Sequence, residues 1–351
     1  MLDTGEDYQI LLDRVRQKVG DRKFALGAQI LHGSADPLDI AAGYARVAEA
    51  AIETLASATI AQFEGAHGKV PGGELAILAL GRLGGGVLTH ASDLDLIYLF
   101  TGDFATESDG IRPLGATLYF NRLAQRIGNA LSVPTASGPL YEVDTRLRPS
   151  GAQGLLAVSF DSFARYESEQ AWAWEHLALT RARPVFGSPQ ARMALDGIVH
   201  DVLHRSRDTD AMLRDAVKMR GDIARHKPPA GSLDVKLASG GLVDLEFLIH
   251  ATQFRTGMGF SPGLREALGM LVGAGHLPAE LVAAHNLLTR LLIVLRLVSP
   301  KSTEPPEASR ALVARACRAA DWNTLLASQD AARQRIASCW NDIVQAFGDS
   351  S

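Results

Sequence analysis

The run Leu75-Ala76-Ile77-Leu78-Ala79-Leu80 is too short for a helix of its own and too apolar to sit at a surface, so it predicts a buried strand. A second apolar run, Leu94–Phe100, follows a glycine-rich turn, Gly81–Gly86. Next comes a helical pattern through Leu114, Leu118, Leu123, Ile127 and Leu131. In Leu140–Arg148, Tyr141, Val143, Thr145 and Leu147 then alternate with Glu142, Asp144, Arg146 and Arg148. A period of two predicts a strand that sends its charged residues to one face. Strand, turn, strand, helix and strand in so short a span demand a compact mixed α/β unit.

The flanks read as helix. Asp36 is placed to cap a helix whose first turn takes Pro37. Ile40, Tyr44, Val47, Ala51, Ile52, Leu55 and Phe63 keep helical spacing up to the Gly/Pro-containing stretch Gly65–Gly73. Beyond about Gly187 strand signals fade. Leu213–Arg225, Leu242–Phe254, Pro262–Gly273, Ala279–Leu297 and Glu307–Phe347 carry Ala, Leu and Arg at helical spacing, which predicts a bundle, with residues 300–307 as its clearest loop. The expected class is α+β and mostly α overall. Its expected parts are a helical segment over 1–65, a catalytic core with a small mixed sheet over 66–190 and a helical bundle over 191–351.

Composition narrows the setting. At 351 residues, 47% hydrophobic and 21% charged, the chain has the balance of a soluble globular protein with more than one packed unit. Its two cysteines, Cys317 and Cys339, form no C-x-x-C pair; this excludes a disulfide scaffold or zinc ribbon and fits a reducing cytoplasm. Met1–Asp7 lacks the basic and apolar segments of a signal peptide, so none is expected. The nearest approach to a membrane span, Leu287–Val298, is interrupted by Arg290 and Arg296 and is expected to be a buried helix, with no membrane partner. A net charge of −4 argues weakly against nucleic acid as the main partner.

The chemistry concentrates in Gly81–Leu96. Asp93 and Asp95 stand two apart at a predicted strand, so both side chains leave the same face. Adjacent carboxylates repel, and a divalent cation resolves the conflict; magnesium suits a pair of Asp plus a triphosphate. A solvated pair at a strand start is the bland alternative. The glycine turn can bring backbone N–H groups against a phosphate, or be a bare hairpin turn. It is neither a P-loop nor a dinucleotide fingerprint. Asp144, flanked by Arg146 and Arg148 on a third predicted strand, completes the composition of a two-metal phosphoryl-transfer site, although the arginines also suit a surface salt-bridge ladder.

Five ordered blocks sharpen this: Gly-Arg-Leu-Gly-Gly-Gly (81–86), Ser-Asp-Leu-Asp-Leu-Ile (92–97), Val-Asp-Thr-Arg-Leu-Arg-Pro-Ser-Gly (143–151), Trp-Glu-His-Leu-Ala-Leu-Thr-Arg-Ala-Arg (174–183) and Lys-Leu-Ala-Ser-Gly-Gly-Leu-Val-Asp-Leu-Glu-Phe (236–247). The pattern resembles the DNA polymerase β-like nucleotidyltransferase superfamily. Arg82 departs from the Gly or Ser usual there and matches one branch, the glutamine synthetase adenylyltransferase family (glutamate–ammonia-ligase adenylyltransferase). The resemblance implies a polymerase β-like core and Mg²⁺-dependent transfer of AMP from ATP to a tyrosine hydroxyl of glutamine synthetase, regulating nitrogen metabolism. It implies Asp93, Asp95 and Asp144 as catalytic residues and ligands of two Mg²⁺ ions, with Asp144 also a candidate proton acceptor. Gly81, Arg82, Gly84, Gly85, Ser92, Arg146 and Arg148 are implied at the nucleotide, and Arg181 and Arg183 near the cleft. For Lys236, Gly240, Gly241, Asp244 and Glu246, support of the core–bundle junction and ordinary turn and surface roles stay open.

The family resembles two related halves, one adding AMP and one removing it by phosphorolysis. This chain holds one block of the Ser-Asp-Leu-Asp type, with its D-x-D at Asp93 and Asp95, and the contexts Trp172–His176 and Tyr141–Asp144 look more like the adenylylating half. Phosphorolytic removal, or a docking module that binds glutamine synthetase or a PII signalling protein, are the rival readings. His200 and His204 stand four apart but lack the Glu of H-E-x-x-H, so no metal is expected there. His90 is expected to be solvated, and Trp172 and Trp174 to pack rather than stack on adenine.

Overall fold

A computed structural model describes residues 4–103 and 105–348. The chain forms two compact units: Met1–Phe24, Tyr44–Gly86 and Ser92–Val202 make the first, and Ala25–Gly43, Val87–Ala91 and Leu203–Ser351 the second. The expected α+β class is borne out by a small mixed sheet among many helices.

Two long helices open the chain, α1 (Thr4–His32) and α2 (Pro37–His67). Asp36 caps α2 as expected, its Oδ1 accepting the Leu38 N–H at 2.9 Å. The first unit then runs β1 (Leu75–Ala79), a single turn α3 (Gly81–Gly84), β2 (Leu94–Phe100), α4 (Ala116–Ser132), β3 (Val143–Asp144) and β4 (Ala157–Ser159). Helices α5 (Phe160–Glu169) and α6 (Ala173–Leu179), strand β5 (Arg183–Phe186) and α7 (Pro189–His204) follow. Strands β1 and β2 fall where the apolar runs predicted them. They pair antiparallel, and β5 pairs antiparallel with the other side of β1. On its far edge β2 takes two parallel partners in succession, β3 at Leu94–Asp95 and β4 at Tyr98–Phe100.

Burial explains why these runs are strands. All of β1 is buried, and only Asp95 in β2 is not. Helix α4 lays Tyr119, Phe120, Leu123, Ala124, Ile127 and Leu131 into the core, with Phe120 stacked on Phe100 at 4.5 Å between ring centroids. The expected strand over Leu140–Arg148 is corrected: only Val143 and Asp144 are strand, and Thr145 onward turns away. Asp144 Oδ1 accepts the Arg146 N–H at 2.8 Å and the Arg148 N–H turns back to the Thr145 carbonyl at 3.3 Å, so the chain curls out of the ladder directly after Asp144.

The second unit contains α8 (Thr209–His226), α9 (Leu242–Thr256), α10 (Leu264–Gly273), α11 (Glu280–Val298), α12 (Glu307–Ala316) and α13 (Trp322–Phe347). The single helical pattern over Glu307–Phe347 is corrected to two helices, because Asp321 caps a new start by accepting the Thr324 N–H at 2.7 Å. Among the described residues α11 alone is long and apolar enough to cross a membrane; it contains Arg290 and Arg296, and Leu287–Val298 lies in it as the expected largely buried helix. It packs against α9, α10, α12 and α13, burying Leu288, Leu291, Leu292, Ile293, Val294 and Leu295. Its Arg290 pairs with Asp36 through Nη2–Oδ2 at 2.8 Å, tying residues 25–43 into this unit.

Candidate active site

Pairing places the three acidic residues together. Asp95 and Asp144 are register partners on the parallel strands β2 and β3, so their side chains leave neighbouring backbones on one face. Asp93, two residues before Asp95, shares that face. One carboxylate oxygen from each of Asp93, Asp95 and Asp144 lies within 4.8 Å of the others. Asp93 is exposed, and Asp95 and Asp144 are half-buried. Three hard oxygen donors this close, open to solvent on one side, fit a magnesium-like ion that keeps some of its water.

The glycine turn is built around this cluster. Gly81 adopts φ +54°, and a Cβ there would overlap the Asp95 Oδ2 and stand 3.2 Å from its Cγ. Glycine at 81 therefore lets the Asp95 carboxylate lie directly against the turn. A Cβ at Gly84 would strike the backbone oxygens of Arg181 and Ala79, so glycine is what allows the turn to pack on β1 and the approach to β5. The bare hairpin turn is thus replaced by one helical turn. Its Gly84, Gly85 and Gly86 N–H groups are spent on Leu80, Gly81 and Leu83 carbonyls at 2.8, 3.2 and 2.9 Å.

The arginines divide by role. Arg183 donates through Nε to the Gly84 carbonyl at 3.0 Å and through Nη2 to the Leu83 carbonyl at 3.2 Å, and pairs with Glu49. It braces the end of the glycine turn. Arg181 is buried, Arg82 in the glycine turn is half-buried, and so is Ser92 next to Asp93. Arg148 is committed to its own loop, donating to the carbonyls of Thr145 at 2.8 Å, Ala152 at 3.2 Å and Gly154 at 3.3 Å. Arg146 instead reaches back to Asp144. Its Nε lies 3.0 Å from both carboxylate oxygens, its Nη2 bonds Oδ2 and its backbone N–H meets Oδ1 at 2.8 Å. The Asp144 hydrogen bond and charge, with smaller contributions from Asp95 and Asp93, hold the Arg146 guanidinium above its ordinary pKa.

Residues 1–198 match the family model for Glutamate-ammonia ligase adenylyltransferase. The chain belongs to the glutamate–ammonia ligase adenylyltransferase family. It is 37% identical over 330 residues to a protein of Agrobacterium fabrum named bifunctional glutamine synthetase adenylyltransferase/adenylyl-removing enzyme, an alignment covering 91% of this chain and 33% of the relative. A Brucella suis protein of the same name is 42% identical over 262 residues, covering 74% of this chain and 26% of the relative. A third such relative, from Xanthobacter autotrophicus, is 36% identical across 99% of this chain and 37% of its own length. The chain therefore spans about a third of the length of the curated relatives it matches.

Within this adenylyltransferase-family chain, part of the block 236–247 makes contacts inside its own unit. Asp244 is buried in an ion pair with Arg220 and accepts the Gly240 N–H at 2.5 Å, while Glu246 lies 3.9 Å from His250. His204 packs edge-on against Phe260, and His200 sits beside Asp201. Trp172, expected to pack, is 69% exposed, whereas Trp174 and His90 are half-buried. Sequence reasoning missed Glu49, whose link to Arg183 spans 134 positions and leaves no local pattern. It also missed the corner where Glu175 accepts the Tyr166 hydroxyl at 2.9 Å and the Trp172 N–H at 2.8 Å. The Trp-Glu pair in the fourth block was the available signal.

Proposed function

We propose that the chain transfers AMP from ATP to a tyrosine hydroxyl of glutamine synthetase and releases pyrophosphate. The observation that carries this reading is the meeting of Asp93, Asp95 and Asp144 on one face of the sheet beside a glycine turn. The names of the relatives supply glutamine synthetase as the protein acted on, and the tyrosine is what the family resemblance implies. A pair of Mg²⁺ ions held by the three carboxylates would neutralise phosphate charge and ease ionisation of the attacking hydroxyl. A phenol with a pKa near 10 needs such help at neutral pH. The chain's own groups do the rest. Asp93 and Asp95 orient the reacting end of the triphosphate, and Gly81 keeps Asp95 close to the turn. Arg82 and Ser92, with Gly84 and Gly85 shaping the turn, line the nucleotide side. The hydroxyl attacks the α-phosphorus in line, its proton passes towards Asp144, and pyrophosphate departs.

A second reading is favoured by the word bifunctional in the relatives' names and by a chain that spans a third of them. The same carboxylates would serve phosphorolysis, in which phosphate attacks the phosphorus of adenylyl-tyrosine, the tyrosine hydroxyl is the leaving group and ADP is the product. Mass spectrometry of glutamine synthetase incubated with this chain, ATP and Mg²⁺ tests the first reading; an AMP adduct on tyrosine supports it. Unmodified synthetase, with ADP formed from adenylylated synthetase and phosphate, supports the second. A reducing compartment is proposed for the protein, whose Cys317 is buried and Cys339 half-buried, both as free thiols. A PII signalling protein is retained as a proposed regulatory partner, to be tested by its effect on the transfer rate.

A further inference from the structure

Arg146 is a cation already seated in the acidic cluster. Its guanidinium forks onto both oxygens of Asp144, and its own backbone N–H occupies Oδ1 as well. A carboxylate with four such contacts has little lone-pair capacity left for a cation. The Arg146 side chain is 78% exposed while that of Asp144 is 18% exposed, so the arm can leave without disturbing the core but the carboxylate cannot. The loop behind it does not follow. Arg148 staples that loop to the carbonyls of Thr145, Ala152 and Gly154. One arginine of the pair thus holds the loop, and the other is free to swing.

We propose that Arg146 is a built-in counter-ion of the acidic site: it holds Asp144, a divalent cation must displace it to gain that ligand, and the displaced guanidinium then binds the phosphates of the nucleotide. The proposal rests on the reading of Asp93, Asp95 and Asp144 as a divalent-cation site. It makes cation and nucleotide binding mutually reinforcing, because the phosphates give Arg146 a second anionic partner just as the ion takes its first. It also fixes the order of events. Asp144 becomes able to accept a proton only after Arg146 has left it.

The test is Mn²⁺ binding to the full chain, followed by the electron paramagnetic resonance of free Mn²⁺, for the wild type, R146Q, R146K and D95N. Exposed pairs of this kind are modest, so R146Q is expected to bind Mn²⁺ roughly threefold to fivefold more tightly than the wild type. R146K keeps the charge but loses the planar fork, and is expected to behave more like R146Q than like the wild type. With Mn²⁺ present, the non-transferable analogue α,β-methylene-ATP should bind R146Q more weakly than the wild type. Equal or weaker Mn²⁺ binding by R146Q, an R146K indistinguishable from wild type, or unchanged analogue affinity overturns the proposal. If D95N abolishes Mn²⁺ binding in those cases, the cation site stands and only the role of Arg146 falls. If D95N changes nothing, both fall together.

Discussion

Replacing Gly81 by alanine separates the two reasons for glycine in the turn. At φ +54° an L-residue costs about 1–2 kcal/mol in backbone conformation. The new Cβ would also overlap Oδ2 of Asp95 and sit 3.2 Å from Cγ. To regain ordinary carbon contact the carboxylate must retreat by roughly 1 Å. Misplacement of a positioned group by about 1 Å can cost on the order of 100-fold in rate. Gly86 supplies the control, with φ +71° but no heavy atom within 4 Å of an added Cβ. Initial rates of AMP transfer and urea unfolding would be measured for G81A and G86A. Both variants should lose about 1–2 kcal/mol of stability, and only G81A should lose about two orders of magnitude in kcat. Equal activity in the two would refute the claim that Gly81 exists to seat Asp95.

Two further outcomes follow from buried ionisable groups. Burial, and then the charge of Glu175, push the Glu167 carboxyl up to about 8 from 4.5. The folded protein therefore keeps a proton that the unfolded chain has lost, so stability falls as pH rises from 4.5 to about 8, by as much as about 5 kcal/mol. E167Q should flatten the pH dependence of urea unfolding in that window, and a slope unchanged from wild type would contradict the assignment. In the second unit, D244A strands the buried Arg220 guanidinium and should cost about 3–5 kcal/mol in urea unfolding. AMP transfer per folded molecule should stay near the wild-type rate; a specific loss of rate would mean that Asp244 does more than pack.

The parts of the fold visible in the sequence are those whose burial is uniform. β1 and β2 were legible because every β1 residue and nearly every β2 residue is buried, leaving unbroken apolar runs. β4 and β5 were not, since three or four residues are too few for a period and their partners lie far away in the chain. The alternation in Leu140–Arg148 mimicked a strand because a turn that exposes Arg146 and pins Arg148 also places charges at every second position. Asp93 and Asp95 announced their shared face through spacing alone. That Asp144 joins them depends on parallel pairing across nearly fifty residues, which alternation suggested and register decides. The split between a loop-stapling Arg148 and an Asp144-bound Arg146 had no sequence signature, because both read simply as arginines on one face.

The meeting of the three carboxylates around divalent ions can be seen by anomalous scattering from crystals of the protein soaked with Mn²⁺ and α,β-methylene-ATP. Density peaks are expected at roughly 2.0–2.4 Å from carboxylate oxygens of Asp93, Asp95 and Asp144, beside the triphosphate. Peaks elsewhere, or none near these three side chains while nucleotide is bound, would contradict it.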